Sequence, residues 1–253
     1  MNAKETAVIF IEFQNDFCHP NGLLYDTVKS ELARLGTVAN AQRLLTGARR
    51  AGCKIIHSPF TLDRAWCEAQ QAEGLLKGIY DGNIFLPGSW GHEIISELRP
   101  LEEEIVIEGK RSLSAFSHTN LAEILRFAGI KNLIVTGQLT NVCAQATAWS
   151  AYDLGFRVRM ITEACASVSR DIHEYVTNQI APIFGEVPTV DGFLASLNYP
   201  RRPSRTFIKP HVLKNSKKFF EWAVSFSAAA CIGVLNRGPF SPIIFLLFIR
   251  RFS

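Results

Sequence analysis

Leu133-Ile-Val-Thr-Gly-Gln-Leu-Thr-Asn-Val-Cys143 opens on a short run rich in β-branched residues, turns at Gly137, and leads into Val142–Leu154, a stretch of helix length. A strand that passes through a turn into a helix is the repeating unit of a parallel sheet covered by helices. Working outward, the same pattern recurs. Strands are expected at Ala7–Ile11, Lys54–His57, Ile105–Ile107, Leu133–Thr136, Val158–Ile161 and Glu186–Thr189, the last the weakest of the six. Helices are expected near Val38–Ala51, Leu121–Ala128, Val142–Leu154 and Asp171–Ile180. Two of them stop at glycine, Gly52 and Gly129, where a left-handed cap costs no Cβ clash. The fold class is therefore α/β, with a mainly parallel six-stranded sheet.

The segment from Phe60 to Arg99 interrupts this rhythm and carries Trp66, Phe85 and Trp90 among several glycines. Long insertions of this kind serve as lids or binding loops, or else pack their own aromatics at the periphery. Both readings stand at this point.

The formal charge of +4 conceals a split along the 253 residues. Residues 1–199 hold 17 Lys and Arg against 22 Asp and Glu, a net −5, whereas residues 200–253 hold 10 against 1, a net +9. This places a domain over residues 1–199 and a basic, then apolar, appendage over 200–253. The positive total is accordingly no sign of nucleic-acid binding. Neither apolar run of the appendage reaches the roughly 20 residues of a membrane span, but a basic segment beside apolar runs can associate weakly with an anionic bilayer. The six cysteines form no C-x-x-C pair, which argues against a zinc site and a disulfide framework and fits a reducing, cytoplasmic setting. The first apolar run ends at Glu12, too short for the core of a signal peptide.

In open parallel sheets function gathers at the carboxyl ends of the strands. Glu12 follows the first strand, Lys110 the third, and Cys143 the fourth. Taken singly, these are an edge carboxylate, a surface lysine and a small buried thiol. Taken together they supply a nucleophile, a proton carrier and a cation. A helix N-terminus and an ammonium lower a thiol from its ordinary value near 8.5. Glu12 is suited to take the thiol proton and return it to a leaving amine, with Lys110 holding Glu12 in place. The turn before Cys143 presents the backbone N–H groups of Leu139 and Cys143 to a developing oxyanion.

Three segments, Val8–Phe17, Val106–Phe116 and Leu133–Cys143, resemble in order the hallmark segments of isochorismatase-like cysteine hydrolases, and the similarity covers roughly residues 5–197. The resemblance implies a Rossmann-like three-layer α/β/α sandwich with no dinucleotide, a non-proline cis peptide between Gln138 and Leu139, and Glu12, Lys110 and Cys143 as the catalytic set. It also implies that Phe116 lines the substrate pocket, to which the insertion, read as a binding loop, adds Trp66, Phe85 and Trp90; a small-molecule substrate and a homo-oligomer are expected. Glu12 departs from the family's usual aspartate by one methylene. Metal-binding members carry an Asp/His cluster after the second strand, whereas His57–Asp63 here holds one histidine, so neither metal nor cofactor is expected. The expected reaction is cleavage of a carbon–nitrogen bond in a small amide or ureido compound through a cysteine thioester. Isochorismatase-type ether hydrolysis and a non-catalytic binding or scaffold role are the alternatives.

Overall fold

The computed structural model describes residues 1–197. The appendage expected over residues 200–253, with its membrane association, lies outside the described residues.

In chain order the elements are β1 (Thr6–Ile11), α1 (Asn15–Cys18), α2 (Tyr25–Leu35), α3 (Thr37–Ala51), β2 (Lys54–Ser58), α4 (Arg64–Ala69), α5 (Gly74–Asp81), β3 (Ile105–Val106), α6 (Leu121–Phe127) and β4 (Asn132–Gln138). A π-helical turn, Thr140–Ala144, then leads into α7 (Gln145–Asp153), β5 (Arg157–Ala166), α8 (Arg170–Tyr175), a second π turn (Val176–Ile180), α9 (Ala181–Phe184) and α10 (Val190–Ser196).

The sheet is parallel throughout, in the order β3-β2-β1-β4-β5. Alternation along β1 divides the core between its two faces. Ala7, Ile9 and Ile11 join Leu121 and Leu125 of α6 and Ala144, Ala148 and Ala151 around α7. Val8 and Phe10 turn the other way, to Ala41, Leu44, Leu45 and Ala48 of α3 and to Phe193 of α10. Helices thus cover both faces, giving the three layers expected. Burial on both sides explains why β1 reads as an unbroken apolar run rather than an alternating one.

The apolar spacing of α3 lies on one stripe, and each fully buried leucine there contributes about 1.5–3 kcal/mol. Gly52, at φ 82°, ends the helix by sending its N–H back to Ala48 O and Arg49 O, and β2 begins two residues later.

Among the described residues the sheet has five strands where the sequence pattern suggested six. Residues 186–189 form no strand, because Pro188 has no N–H for a ladder and Thr189 instead caps α10, its side chain accepting from Gly192 N at 3.0 Å. The Phe60–Arg99 insertion is not wholly irregular: it contains α4 and α5. Helix α2, which the sequence reading did not include, buries only Val28, Glu31 and Leu32 and leaves the rest of its surface largely polar.

Candidate functional site

The chain order β1, β2, β3 runs outward on one side of β1, and β4, β5 on the other, so the reversal lies between β1 and β4. A crevice forms at such a reversal, beyond the carboxyl ends of the two strands. Glu12 is the first residue past β1, and Gly137 and Gln138 close β4 just before the turn that carries Cys143. The two strands approach closely here. A Cβ on Gly137 would stand 2.1 Å from Ile11 O, and the residue sits at φ 131°, so only glycine fits.

Glu12 has φ 55°, a left-handed conformation that costs a residue with a Cβ about 1–2 kcal/mol. Its N–H is held by Ser58 O at 3.1 Å, at the end of β2. The side chain is 2% exposed and accepts a short hydrogen bond from Lys110 Nζ. Lys110 reaches it from the loop after β3. Its ammonium is fully buried, donates also to Ser112 O at 2.9 Å, and stands 4.9 Å from the centre of the Phe60 ring. Burial alone would depress this ammonium, but the negative charge of Glu12, joined by that of Cys143 when the thiol is ionised, and the hydrogen bonds to both outweigh it and hold the lysine above its ordinary value.

Cys143 lies within the π turn and is 4% exposed. Burial, and next the negative charge of Glu12, push its thiol well above the ordinary range. Lys110 and a backbone hydrogen bond from Leu139 pull the other way without prevailing. This reverses the expectation of a lowered thiol. The ammonium and the helix N-terminus are visible in the sequence whereas burial is not, and the helix α7 proper starts two residues beyond the cysteine. The resting group is therefore a thiol, with a carboxylate beside it as proton acceptor.

The peptide bond Gln138–Leu139 is cis, as the resemblance implied. Leu139 O is occupied by the N–H groups of Val142 at 3.0 Å and Ala144 at 3.2 Å.

Of the four expected pocket aromatics, Phe85 and Trp66 share one hydrophobic cluster and Phe116 packs against another. Phe85 is 1% exposed and packs on Phe17 and Phe60, with ring centres 5.3 and 5.6 Å apart, so it belongs to the aromatic core of the insertion. Trp90 meets His19 edge-on at 4.7 Å and remains 45% exposed. Trp66 lies 5.6 Å from the ring of His118, and Phe116 rests on Phe156 at 6.1 Å. Phe60, Arg111 and Ser112, absent from the sequence-based set, contact or flank Lys110. Adjacency to Lys110 was the available signal for the last two; nothing local marked Phe60.

His57 does not point to a metal. Its Nε2 lies 3.0 Å from Glu104 Oε2, and its ring stacks on Phe10 at 5.7 Å. Among the described residues no three His, Cys, Asp or Glu side chains are grouped so as to hold an ion. Cys165 is fully buried, its thiol pushed up to about 11 by burial.

A family profile for the isochorismatase domain matches residues 6–192. The chain is 29% identical over 212 residues to the ureidoacrylate amidohydrolase RutB of Rhizobium rhizogenes, covering 78% of this chain and 85% of that protein. It is 31% identical over 174 residues to the uncharacterized isochorismatase family protein YddQ of Bacillus subtilis, covering 68% and 83%. Among solved structures, a cysteine hydrolase from Pseudomonas syringae pv. phaseolicola superposes with a TM-score of 0.68 at 27% identity, over 77% of this chain and 93% of that one.

Proposed function

The chain belongs to the isochorismatase family, and from that premise we propose that it is a hydrolase that cleaves a carbon–nitrogen bond of a small amide or ureido compound, with Cys143 as nucleophile, Glu12 as proton carrier and Lys110 as their electrostatic clamp. The observation that carries the reading is the burial of all three groups together at the reversal of the sheet, in a chain whose relatives include a ureidoacrylate amidohydrolase.

Because Cys143 rests as a thiol, attack and deprotonation are coupled: Glu12 takes the proton as Sγ bonds to the substrate carbonyl carbon. Charge builds on the carbonyl oxygen, and the N–H groups of Leu139 and Cys143 are proposed to receive it. The tetrahedral species collapses by breaking the carbon–nitrogen bond, and Glu12 gives its proton to the departing nitrogen. Water then attacks the thioester, again losing its proton to Glu12, and the thiol is restored. Lys110 stays charged throughout and offsets the negative charge that passes between Glu12 and Cys143.

Product analysis on a panel of amides, ureido acids and isochorismate tests this reading. Ammonia or amine release by the wild type, lost by at least about a thousandfold in Cys143→Ala with circular dichroism unchanged, is expected. A Cys143→Ala protein that keeps its rate on the best substrate, or turnover of isochorismate alone, overturns it. The proposal extends to a cytoplasmic homo-oligomer, assembly being supported by Trp149 and Tyr152, 37% and 47% exposed on α7. Light scattering that returns the monomer mass refutes that extension.

A further inference from the structure

We propose that His173 is a positioning residue for the oxyanion turn: its imidazole holds Thr140 by the side chain, and through Thr140 fixes the N–H groups of Leu139 and Cys143 that receive the developing charge. The inference deepens the hydrolase reading, which assigns those two donors, and rests on it.

The donors belong to a π turn, Thr140–Ala144, a wide ring that occurs mostly as a single turn at functional sites. Its backbone is closed by the bonds of Val142 N and Ala144 N to Leu139 O. Thr140 stands between the two donors, directly after Leu139, whose N–H bonds to the Cys143 thiol group. A shift of Thr140 therefore re-aims one donor against the other.

Side chains from the neighbouring segment brace this turn. Just past β5, Ser167 Oγ donates to Asn141 Oδ1 at 2.6 Å, and from α8 His173 Nδ1 meets Thr140 Oγ1 at 3.0 Å. The second brace is the stronger constraint. His173 is 3% exposed and Thr140 is fully buried, so water does not replace either partner, whereas Asn141 keeps part of its surface in solvent.

The charged groups that face the imidazole are Glu31 and Arg34 of α2, paired with each other at 2.6 Å, and Glu174 of α8, which Arg170 holds at 2.7 Å. Burial, aided by Arg34, outweighs the pull of Glu31 and Glu174 and keeps the ring below its ordinary value. At neutral pH His173 is thus an uncharged imidazole with one donor nitrogen and one acceptor nitrogen. A threonine hydroxyl, itself both donor and acceptor, matches Nδ1 in either tautomer.

Propanal reports on the donors without a leaving group. Sγ of Cys143 adds to the aldehyde carbon, the carbonyl π pair moves onto oxygen, and the thiol proton goes to Glu12, so a tetrahedral oxyanion forms where that of an amide would. Its affinity is read as protection of Cys143 from iodoacetamide, by peptide mass spectrometry, in the wild type, His173→Phe, His173→Asn and Thr140→Val. Phenylalanine keeps the buried bulk without a nitrogen, and asparagine returns a polar atom to the place of Nδ1. Thr140→Val removes the same bond from the other partner and stands in where the phenylalanine form does not fold. Propanal affinity is expected to fall by about tenfold or more in His173→Phe and Thr140→Val and to stay within about threefold of the wild type in His173→Asn. Alkylation without aldehyde builds no oxyanion and is expected to change less than about threefold in all of them. Equal propanal affinity in the four proteins, an asparagine form as weak as the phenylalanine form, alkylation that falls in step with affinity, or a wild-type Cys143 that propanal does not protect overturns the proposal. Ammonia release from the amide panel, followed in parallel, keeps the two readings apart. Release of ammonia with propanal affinity equal in all four removes the role of His173 alone, whereas affinity that depends on His173 without ammonia from any amide removes the hydrolase reading and leaves the brace standing.

Discussion

Glu12 and Lys110 act on the Cys143 thiol with opposite signs, which makes their replacement informative at the level of single residues. The carboxylate raises the thiol and the ammonium lowers it. Glu12→Gln is therefore expected to move the pH profile of Cys143 alkylation downward, and Lys110→Met to move it upward; shifts of the same sign in both variants would show that general loosening of the site, rather than charge, governs the thiol. Turnover separates the two further. Glu12→Gln loses proton transfer and activity together. Glu12→Asp withdraws the carboxylate by one methylene from a thiol that the backbone, strained at φ 55°, has placed for glutamate. A misplacement of about 1 Å costs roughly a hundredfold. Equal rates for wild type, aspartate and glutamine forms would take Glu12 out of the mechanism. The type and place of this residue were legible in the sequence, at the end of an apolar run. Its left-handed backbone was not, because nothing in Phe-Ile-Glu-Phe distinguishes a strand that continues from one that turns sharply into a site.

At the scale of elements, the β1–β4 contact and the β2–β3 edge each hang on one device. Gly137→Ala places a methyl group 2.1 Å from Ile11 O at a φ of 131°, so the strands must part or the turn must deform. A loss of about 3 kcal/mol or more is expected, read as a fall in Tm together with loss of activity. An alanine form that melts with the wild type would mean that the two strands tolerate separation. On the other face, Glu104 ties Arg49 of α3, at 2.6 Å, to His57 of β2, at 3.0 Å. Burial opposes its charge, but Arg49, the Leu101 N–H and His57 prevail and hold the carboxyl at about 2, against 4.5 for the free group. As pH falls, the unfolded chain takes up this proton first. The stabilisation is therefore complete above pH 4.5 and is lost as pH drops through about 2. Glu104→Gln should flatten the acid limb of stability in that window, measured by urea unfolding; an acid limb as steep as the wild type's would assign the loss to other carboxylates. The glutamate itself could be seen in the sequence, in a run of three acidic residues. Which of the three would meet an arginine 55 positions earlier depended on how α3 lies across the sheet.

For the whole molecule, we propose that residues 200–253 stand outside the hydrolase core. The five strands and both helical layers of the described residues, and the three groups of the proposed mechanism, make a sheet covered on both faces by helices. A chain ending at residue 199 is expected to keep the Tm and kcat/KM of the full chain within about twofold, as surface changes away from the core usually do. Aggregation of the shortened chain, or a Tm lower by 10 °C or more (about 2–5 kcal/mol for a domain of this size), would make the apolar runs part of the core. No helix among the described residues is long and apolar enough to cross a membrane.

The sequence by itself determined the strand and helix grammar, the parallel sheet, and the three residues placed at strand ends, because these depend on apolar period, glycine caps and the rule that loops after parallel strands meet on one edge. Tertiary structure alone decided the rest. Among the described residues five strands form rather than six, Thr189 being drawn into the cap of α10 instead of a ladder. The Phe60–Arg99 insertion became helix and aromatic core because Phe85 found Phe17 and Phe60 across the fold. The sign of the Cys143 shift turned on desolvation, a quantity that exists only once two helical layers have closed over the sheet and excluded the water that would otherwise screen Glu12 from the thiol.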